Sequence, residues 1–61
     1  MSEFRIACTG VIFWTKKYRI KRGFVIFLPY KKFTGTYRDE IDSAVRRVRI
    51  PVSNINYIEE R

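Results

Sequence analysis

The side chains that could do chemistry in this 61-residue chain are mainly cations, and they are segregated along it. Between Phe4 and Arg38 there are nine lysines and arginines but no aspartate or glutamate. Residues 1–38 carry a formal charge of +8 (nine cations less Glu3), and residues 39–61 carry −1 (four cations less five acids), which together give the net +7. A concentrated positive field attracts polyanions and speeds their encounter, so the pattern indicates an anionic partner.

The same sequence offers little material for catalysis. It has no histidine to act as a general base near neutral pH, no cysteine–histidine pair and no glycine-rich phosphate loop. Asp39, Glu40 and Asp42 cluster, but such a cluster is typical of a helix start or a solvated loop and supplies few oxygen ligands for a metal ion. We therefore interpret the chain as a non-enzyme without a metal or cofactor.

The segment from residue 14 to residue 33 is the candidate binding surface, because it interleaves cations with aromatic rings. Binders of single-stranded nucleic acid combine cations that follow the phosphates with rings on which the bases stack. The predicted phosphate contacts are Lys16, Lys17, Arg19, Lys21, Arg22, Lys31 and Lys32. The predicted stacking residues are Trp14, Tyr18 and Phe33. We expect single-stranded RNA or DNA as the partner.

Each part of this surface has an alternative interpretation. In so short a chain the aromatic side chains could fill the core, which we favour for Phe24 and Phe27, and the lysines could be a solvated face. A second basic patch is formed by Arg46, Arg47 and Arg49. This patch either extends the anion site or pairs with the acids at positions 39, 40 and 42.

Two further functions stay open at this point. The chain could be a small interaction or inhibitor protein, encoded by a mobile element, that binds an acidic surface of a host protein or adds a strand to its sheet. It could also be an oligomer in which basic residues from two subunits converge and sequester an anionic nucleotide.

Length and cysteine content predict a single small domain, residues 1–61, that forms a homo-oligomer. A core of this size supplies only about 3–5 kcal/mol, and Cys8 is the only cysteine, so no intrachain disulfide reinforces it. Cys8 lies in an apolar run, where we expect a small buried hydrophobe, and a lone thiol fits a reducing compartment. No stretch approaches the ~20 apolar residues that span a bilayer. We therefore expect a cytoplasmic protein with no membrane span.

Alternating apolar residues predict a mostly β chain. A first strand is expected over residues 3–14 with a bulge or bend at Gly10, then a turn over 15–17 and a second strand from Tyr18. Gly23 is either a hairpin turn or, as we prefer, a kink in one long bent strand that ends at Pro29. Residues 30–36 are expected to form a loop, and residues 52–54 a turn into a last strand over 55–59.

Residues 37–49 fit two structures. Apolar side chains recur at helical spacing, with acids early and arginines late, which favours one short helix near residues 37–47. The β-branched residues from position 45 onward favour a strand instead. The combined prediction is a helical turn over 38–43 followed by a strand over 45–50.

One short segment near the end of the chain resembles the second signature of Sm-like proteins. It reads Arg49-Ile50-Pro51-Val52-Ser53-Asn54-Ile55-Asn56-Tyr57-Ile58. The resemblance implies a small, strongly bent five-strand barrel of the SH3 type that assembles into rings and binds single-stranded RNA. Pro51-Val52 replaces the family's Arg-Gly, and the family's asparagine-containing loop is not found around residues 29–36. The resemblance therefore implies the barrel and not the family's RNA pocket, and the expected fold is a bent antiparallel sheet or an SH3/Sm-like barrel.

Overall fold

The chain folds into one antiparallel sheet that curls strongly without closing. The computed structural model describes residues 2–34, 37–40 and 46–61. Within these ranges the strands are β1 (Phe4–Cys8), β2 (Val11–Lys21), β3 (Phe24–Thr34), β4 (Tyr37–Glu40), β5 (Val48–Pro51) and β6 (Ile55–Glu60), with a 3₁₀ turn over Val52–Asn54. The prediction of a mostly β chain with a small, strongly bent antiparallel sheet is confirmed.

Strand β3 is the centre of the sheet because it has partners along most of its length. Strand β2 runs antiparallel to it on one side. On the other side, β4 pairs with residues 31–34 and β5 pairs with residues 24–27. Strand β1 pairs with β2, and β6 pairs with β1 and forms the edge of the sheet. The two ends of β3 therefore belong to two different parts of the sheet.

Thr15 marks the point where the long hairpin of β2 and β3 bends. Its cross-strand partner is Pro29, and the register shifts between Trp14 and Thr15 and again between Thr15 and Tyr18. Extra residues on one strand of a pair bend the strand and increase its twist. The bulge at this position therefore accounts for much of the curl of the sheet.

The Thr15 hydroxyl holds the two bent strands together. The side chain is 1% exposed, and its oxygen lies 2.9 Å from the Lys17 carbonyl oxygen and 3.1 Å from the Leu28 carbonyl oxygen. A hydroxyl has one proton, so it donates to these two acceptors in a shared hydrogen bond. One buried side chain thus satisfies backbone groups of both strands where the regular ladder is interrupted.

The core lies on the inner side of the curl. Ile6 from β1 and Val25 and Phe27 from β3 are fully buried and form its centre. Partly buried apolar side chains pack around them: Cys8, Phe13, Tyr18, Val48, Ile50, Ile55 and Ile58. The core position predicted for Phe27 is confirmed, whereas Phe24 is only half-buried.

Turns with positive φ separate the first three strands. Gly10 (φ 80°) lies between β1 and β2, and Arg22 (φ 54°) and Gly23 (φ 76°) lie between β2 and β3. Positive φ at both central residues suits the twist of a two-residue hairpin. The predictions of one strand over residues 3–14 and of a kink at Gly23 are wrong. The paired ladders outweigh the cost of a left-handed Arg22, which is about 1–2 kcal/mol.

The turn predicted at 15–17 and the loop predicted at 30–36 are also wrong. Strand β2 continues through residues 15–17, and β3 continues through Pro29 to Thr34, while residues 35 and 36 lie outside the described ranges. The bulge accommodates Lys16 and Lys17, which lie opposite the single residue Leu28, without ending the strand. Pro29 is tolerated because it falls at this bulge, where the regular pairing is already interrupted.

The predicted helix near residues 37–47 is wrong over its described part. Residues 37–40 form β4, which pairs with residues 31–34. Residues 41–45, which hold the rest of the predicted helical turn, lie outside the described ranges. Strand pairing overrides a weak local helical periodicity, as tertiary context commonly does. The turn over Val52–Asn54 and the last strand, Ile55–Glu60, are confirmed.

Replacing Thr15 by valine should lower the free energy of unfolding by about 1–3 kcal/mol, because two buried acceptors lose their donor while the side-chain shape is kept. Urea unfolding followed by circular dichroism measures this difference. Thr9→Val, at an exposed turn position, is the matched control and should change the free energy by less than about 0.5 kcal/mol. Equal effects of the two substitutions would show that the Thr15 hydroxyl does not hold the bend.

Candidate nucleic-acid interface

Alternation along β2 determines which cations point away from the core. Tyr18 packs on the inner side, so Lys17 and Arg19 next to it, and Lys21 two residues further on, project from the outer side. All three side chains are exposed. The structure therefore places these cations in a row on the outer side of the sheet.

Strand β5 brings a further cation to the same side. Two cross-strand rows run over β2, β3 and β5: Arg19–Ile26–Arg49 and Lys21–Phe24–Pro51. The Arg49 guanidinium lies over the Phe24 ring, 4.1 Å from the ring centroid. Arg19 and Arg49 thus flank Ile26 two strand spacings apart, or about 10 Å. We call this group the cationic face: Lys17, Arg19, Lys21, Phe24, Ile26 and Arg49.

No ion pair with a described carboxylate compensates the cationic face. The ion pairs among the described side chains are Arg5–Glu59, Lys16–Glu3 (3.8 Å) and Arg61–Glu59 (3.7 Å). These pairs compensate Arg5, Lys16 and Arg61, and none of them involves a cation of the cationic face. The alternative pairing of Arg49 with the acids at 39, 40 and 42 falls on side chains outside the described ones.

Three more predicted cations lie next to the cationic face along the chain. Arg22 is exposed in the turn that follows Lys21. Arg46 and Arg47 are exposed and immediately precede β5. The pairing of β3 with β5 therefore brings the two basic segments of the sequence, which are distant along the chain, to one part of the sheet.

Lys16 and Lys31 belong to a different cluster, which surrounds Glu3. The Tyr30 hydroxyl donates a hydrogen bond to the Glu3 carboxylate, and the Lys16 ammonium lies 5.0 Å from the centroid of the Tyr30 ring. The Lys31 ammonium lies 5.2 Å from the centroid of the Trp14 ring and 5.6 Å from that of Tyr30. The hydrogen bond from Tyr30, with the charges of Lys16 and Lys31, lowers the pKa of Glu3 although partial burial opposes the shift.

Tyr18 and Lys32 lie on the inner side of the sheet, away from the cationic face. Tyr18 packs edge-on against Phe4, with ring centroids 5.0 Å apart, and contacts the core. Lys32 is the cross-strand partner of Phe13, whose ring also packs on the core. The structure therefore does not bring these two predicted site residues together with the others.

Trp14 and Phe33 lie on the outer side of the other part of the sheet. Their cross-strand partners are Lys31 and Ile12, respectively, and both rings are half-buried. Trp14 and Ile12 are two residues apart on β2 and so lie on the same side of the sheet. Phe33 lies opposite Ile12, so its ring shares this side with the ring of Trp14. They are separate from the cationic face along the strands, on the far side of the bulge.

Tyr57 is an exposed ring on this outer side that sequence reasoning missed. It is the cross-strand partner of Ala7 and is 49% exposed. Simple alternation would place it on the same side as Ile55, which packs on the core. A register shift between the Ala7–Tyr57 and Cys8–Ile55 pairs moves it to the other side, and only the pairing shows this.

The described residues hold no group of three or more His, Cys, Asp or Glu side chains placed to bind a metal ion. No helix in these ranges is long and apolar enough to cross a membrane. Comparison with protein-family models, with curated proteins and with solved structures finds no match. The resemblance to Sm-like proteins therefore stays a prediction.

Replacing Tyr30 by phenylalanine should raise the pKa of Glu3, because this removes the hydrogen bond that lowers it most. NMR titration of the Glu3 carboxyl group measures the pKa. Tyr57→Phe, which removes an exposed hydroxyl elsewhere, is the control and should leave the Glu3 titration unchanged.

Tyr30→Phe should also change how the stability of the fold depends on pH. The pKa of Glu3 is lower in the folded chain than in the unfolded chain, so its stabilising contribution is present above the unfolded pKa and is lost as the pH falls through the folded pKa. Tyr30→Phe should reduce this acid-dependent loss. A Glu3 titration identical in the two proteins would contradict the assignment of the hydrogen bond as the main cause.

Proposed function

We propose that this protein binds single-stranded nucleic acid without catalysis, and that the phosphates lie along the cationic face. The observation that carries the proposal is the cross-strand row Arg19–Ile26–Arg49, in which cations from two distant parts of the sequence flank an apolar side chain. Neither arginine has an ion-pair partner among the described carboxylates. Such uncompensated cations gain most from an anionic ligand, because binding releases the counterions of that ligand.

The spacing of the cations suits a polymer better than a single small anion. Arg19 and Lys21 are about 7 Å apart along β2, and Arg49 lies about 10 Å across the sheet from Arg19. Each of the three cations can contact a different phosphate of one strand, whereas a single phosphate group would have to draw all three long side chains, with their like charges, to one point. A polymer therefore fits this surface better than a free nucleotide does.

Aromatic rings on the outer side favour unpaired bases. Phe24 lies within the cationic face, and Trp14 and Phe33 lie further along the same side of the sheet. A base in a duplex is already stacked on its neighbours, whereas an unpaired base gains about 1–3 kcal/mol by stacking on a side-chain ring. We include Lys17, Lys21 and Arg22 as phosphate contacts and Trp14 and Phe33 as stacking residues.

Self-association in the cytoplasm is part of the proposal. The large apolar side chains that are fully buried among the described residues are Ile6, Val25 and Phe27, which is a small core. Ile20 and Leu28 are 58% and 56% exposed, respectively. Contact with further copies of the chain would bury such side chains and add to the stability of so small a fold.

The double substitution Arg19→Ala, Arg49→Ala should weaken binding to single-stranded RNA of every sequence alike. Fluorescence anisotropy with a labelled oligonucleotide, at about 50 and about 200 mM salt, measures affinity and its salt dependence. The slope of log affinity against log salt should fall by about 0.7 for each phosphate contact that is lost. The purified protein is treated with nuclease first.

Arg19→Ala and Arg49→Ala are also measured singly, and Arg61→Ala is the control for each, because it removes one cation whose charge Glu59 already compensates at 3.7 Å. It should leave the slope unchanged. Thermal melting followed by circular dichroism checks that each variant is folded. No binding by the wild-type chain even at the lower salt concentration would overturn the proposed function.

A second candidate function is binding to a protein with an acidic surface, which the exposed Leu28 on the outer side of β3 favours. An apolar side chain beside cations suits an apolar patch rimmed by carboxylates. Leu28→Ser should then weaken capture of a specific protein from a nuclease-treated lysate while leaving RNA affinity unchanged. If capture is nonspecific or insensitive to Leu28→Ser, this candidate is rejected.

A further inference from the structure

A cleft of about 400 Å³ opens beside the end of β1. Its lining comes from three separate parts of the chain: Cys8, Thr9, Ile50, Ser53, Asn54 and Asn56. Cys8 and Ile50 pack against the core and supply the apolar part of the lining. The other four side chains are exposed and polar. The cleft therefore combines an apolar base with a polar rim, as small-molecule sites do.

The lining of the cleft is uncharged although the chain carries a net charge of +7. Burial raises the pKa of the Cys8 thiol, so this group also stays neutral near pH 7. Among the described residues, the polar side chains of Thr9, Ser53, Asn54 and Asn56 form no hydrogen bond with another residue. Their donors and acceptors are therefore free to bind a ligand.

The local backbone explains why these polar groups converge. Ser53 and Asn54 belong to the 3₁₀ turn between β5 and β6. Asn56 is the extra residue where the register shifts between the Ala7–Tyr57 and Cys8–Ile55 pairs. The turn and the bulge thus bring the Asn54 and Asn56 carboxamides to the cleft beside Cys8 at the end of β1.

The chemistry of the lining selects an uncharged ligand with adjacent donors and acceptors. A carboxamide offers a donor beside an acceptor, which matches the edge of a nucleobase, and protein side chains read unpaired bases by such hydrogen bonds. A phosphate group finds no cation in the cleft and binds more favourably on the cationic face. The two surfaces therefore suit the two chemically different parts of one nucleotide chain.

A backbone hydrogen bond places the cleft next to the tip of the β2–β3 hairpin. The Val52 N–H donates to the Gly23 carbonyl oxygen at 2.9 Å, which fixes the start of the 3₁₀ turn against the hairpin turn. Lys21 and Arg22 immediately precede Gly23. A bound nucleic-acid strand that leaves the cationic face at the tip of the β2–β3 hairpin would therefore pass close to Ser53 and Asn54.

We propose that this cleft binds one unpaired nucleobase of the strand whose phosphates contact the cationic face, and that it gives the protein a base preference. This inference rests on the proposed function and adds sequence selectivity to a surface that otherwise contacts only phosphates and ring faces. Asn54 and Asn56 are the residues that discriminate between bases.

The test compares the affinities of labelled oligo(rA), oligo(rU) and oligo(rC) of about 12 nucleotides, a length within the usual site sizes of such binders. The wild-type chain should prefer one base by about fivefold or more over the least favoured one, the effect of one good side-chain contact to a base edge. Asn54→Ala and Asn56→Ala should each bring this ratio toward one. Neither changes the net charge, so the salt slope should stay the same.

Val52→Ala is the control, because Val52 is exposed beside the cleft but does not line it. It should keep both the base preference and the salt slope. Equal wild-type affinities for the three oligonucleotides, or a preference that survives both asparagine substitutions, would overturn this inference and leave the proposed function standing. Absence of binding to all three would overturn both.

Discussion

The bulge at Thr15 is the constraint on which the rest of the structure depends. Strands β2 and β3 are eleven residues long each, and both bend where Thr15 faces Pro29. One part of this hairpin pairs with β1, and the other pairs with β5. Because of the bend, the inner sides of the two parts face each other, so that Ile6 from β1 meets Val25 and Phe27 from β3. A straight hairpin would leave these side chains on an open sheet.

The curl also decides where the charges lie. The inner side of such a small sheet is filled by apolar side chains, and burying an uncompensated ammonium or guanidinium group there would carry a large desolvation penalty. The cations of β2 and β5 are therefore displayed on the outer side. Residues 24–27 of β3 pair with β2 on one side and with β5 on the other, and this pairing brings the cations of both strands close to Phe24 and Ile26. The cationic face is thus a consequence of how the core forms.

Local alternation was sufficient to predict some of this arrangement. The row of Lys17, Arg19 and Lys21, the turn over Val52–Asn54 and the last strand follow from residue patterns a few positions long. The pairing of residues 24–27 with β5 could not be predicted in this way, because it depends on contacts between distant segments. The lysines of the bulge resembled a turn, since they interrupt the alternation. Apolar side chains recur at helical spacing over residues 37–49, but pairing with β3 makes residues 37–40 a strand.

The cationic face links binding to stability. Arg19 and Arg49 flank a single residue, Ile26, without a described counter-charge, and their repulsion is only partly screened because about 10 Å is close to the Debye length at physiological salt. This repulsion acts against a core that supplies only a few kcal/mol. A polyanion that binds the folded chain removes the repulsion and stabilises the fold by mass action. The feature that makes the free chain less stable is therefore also the one on which the proposed binding of a polyanion depends.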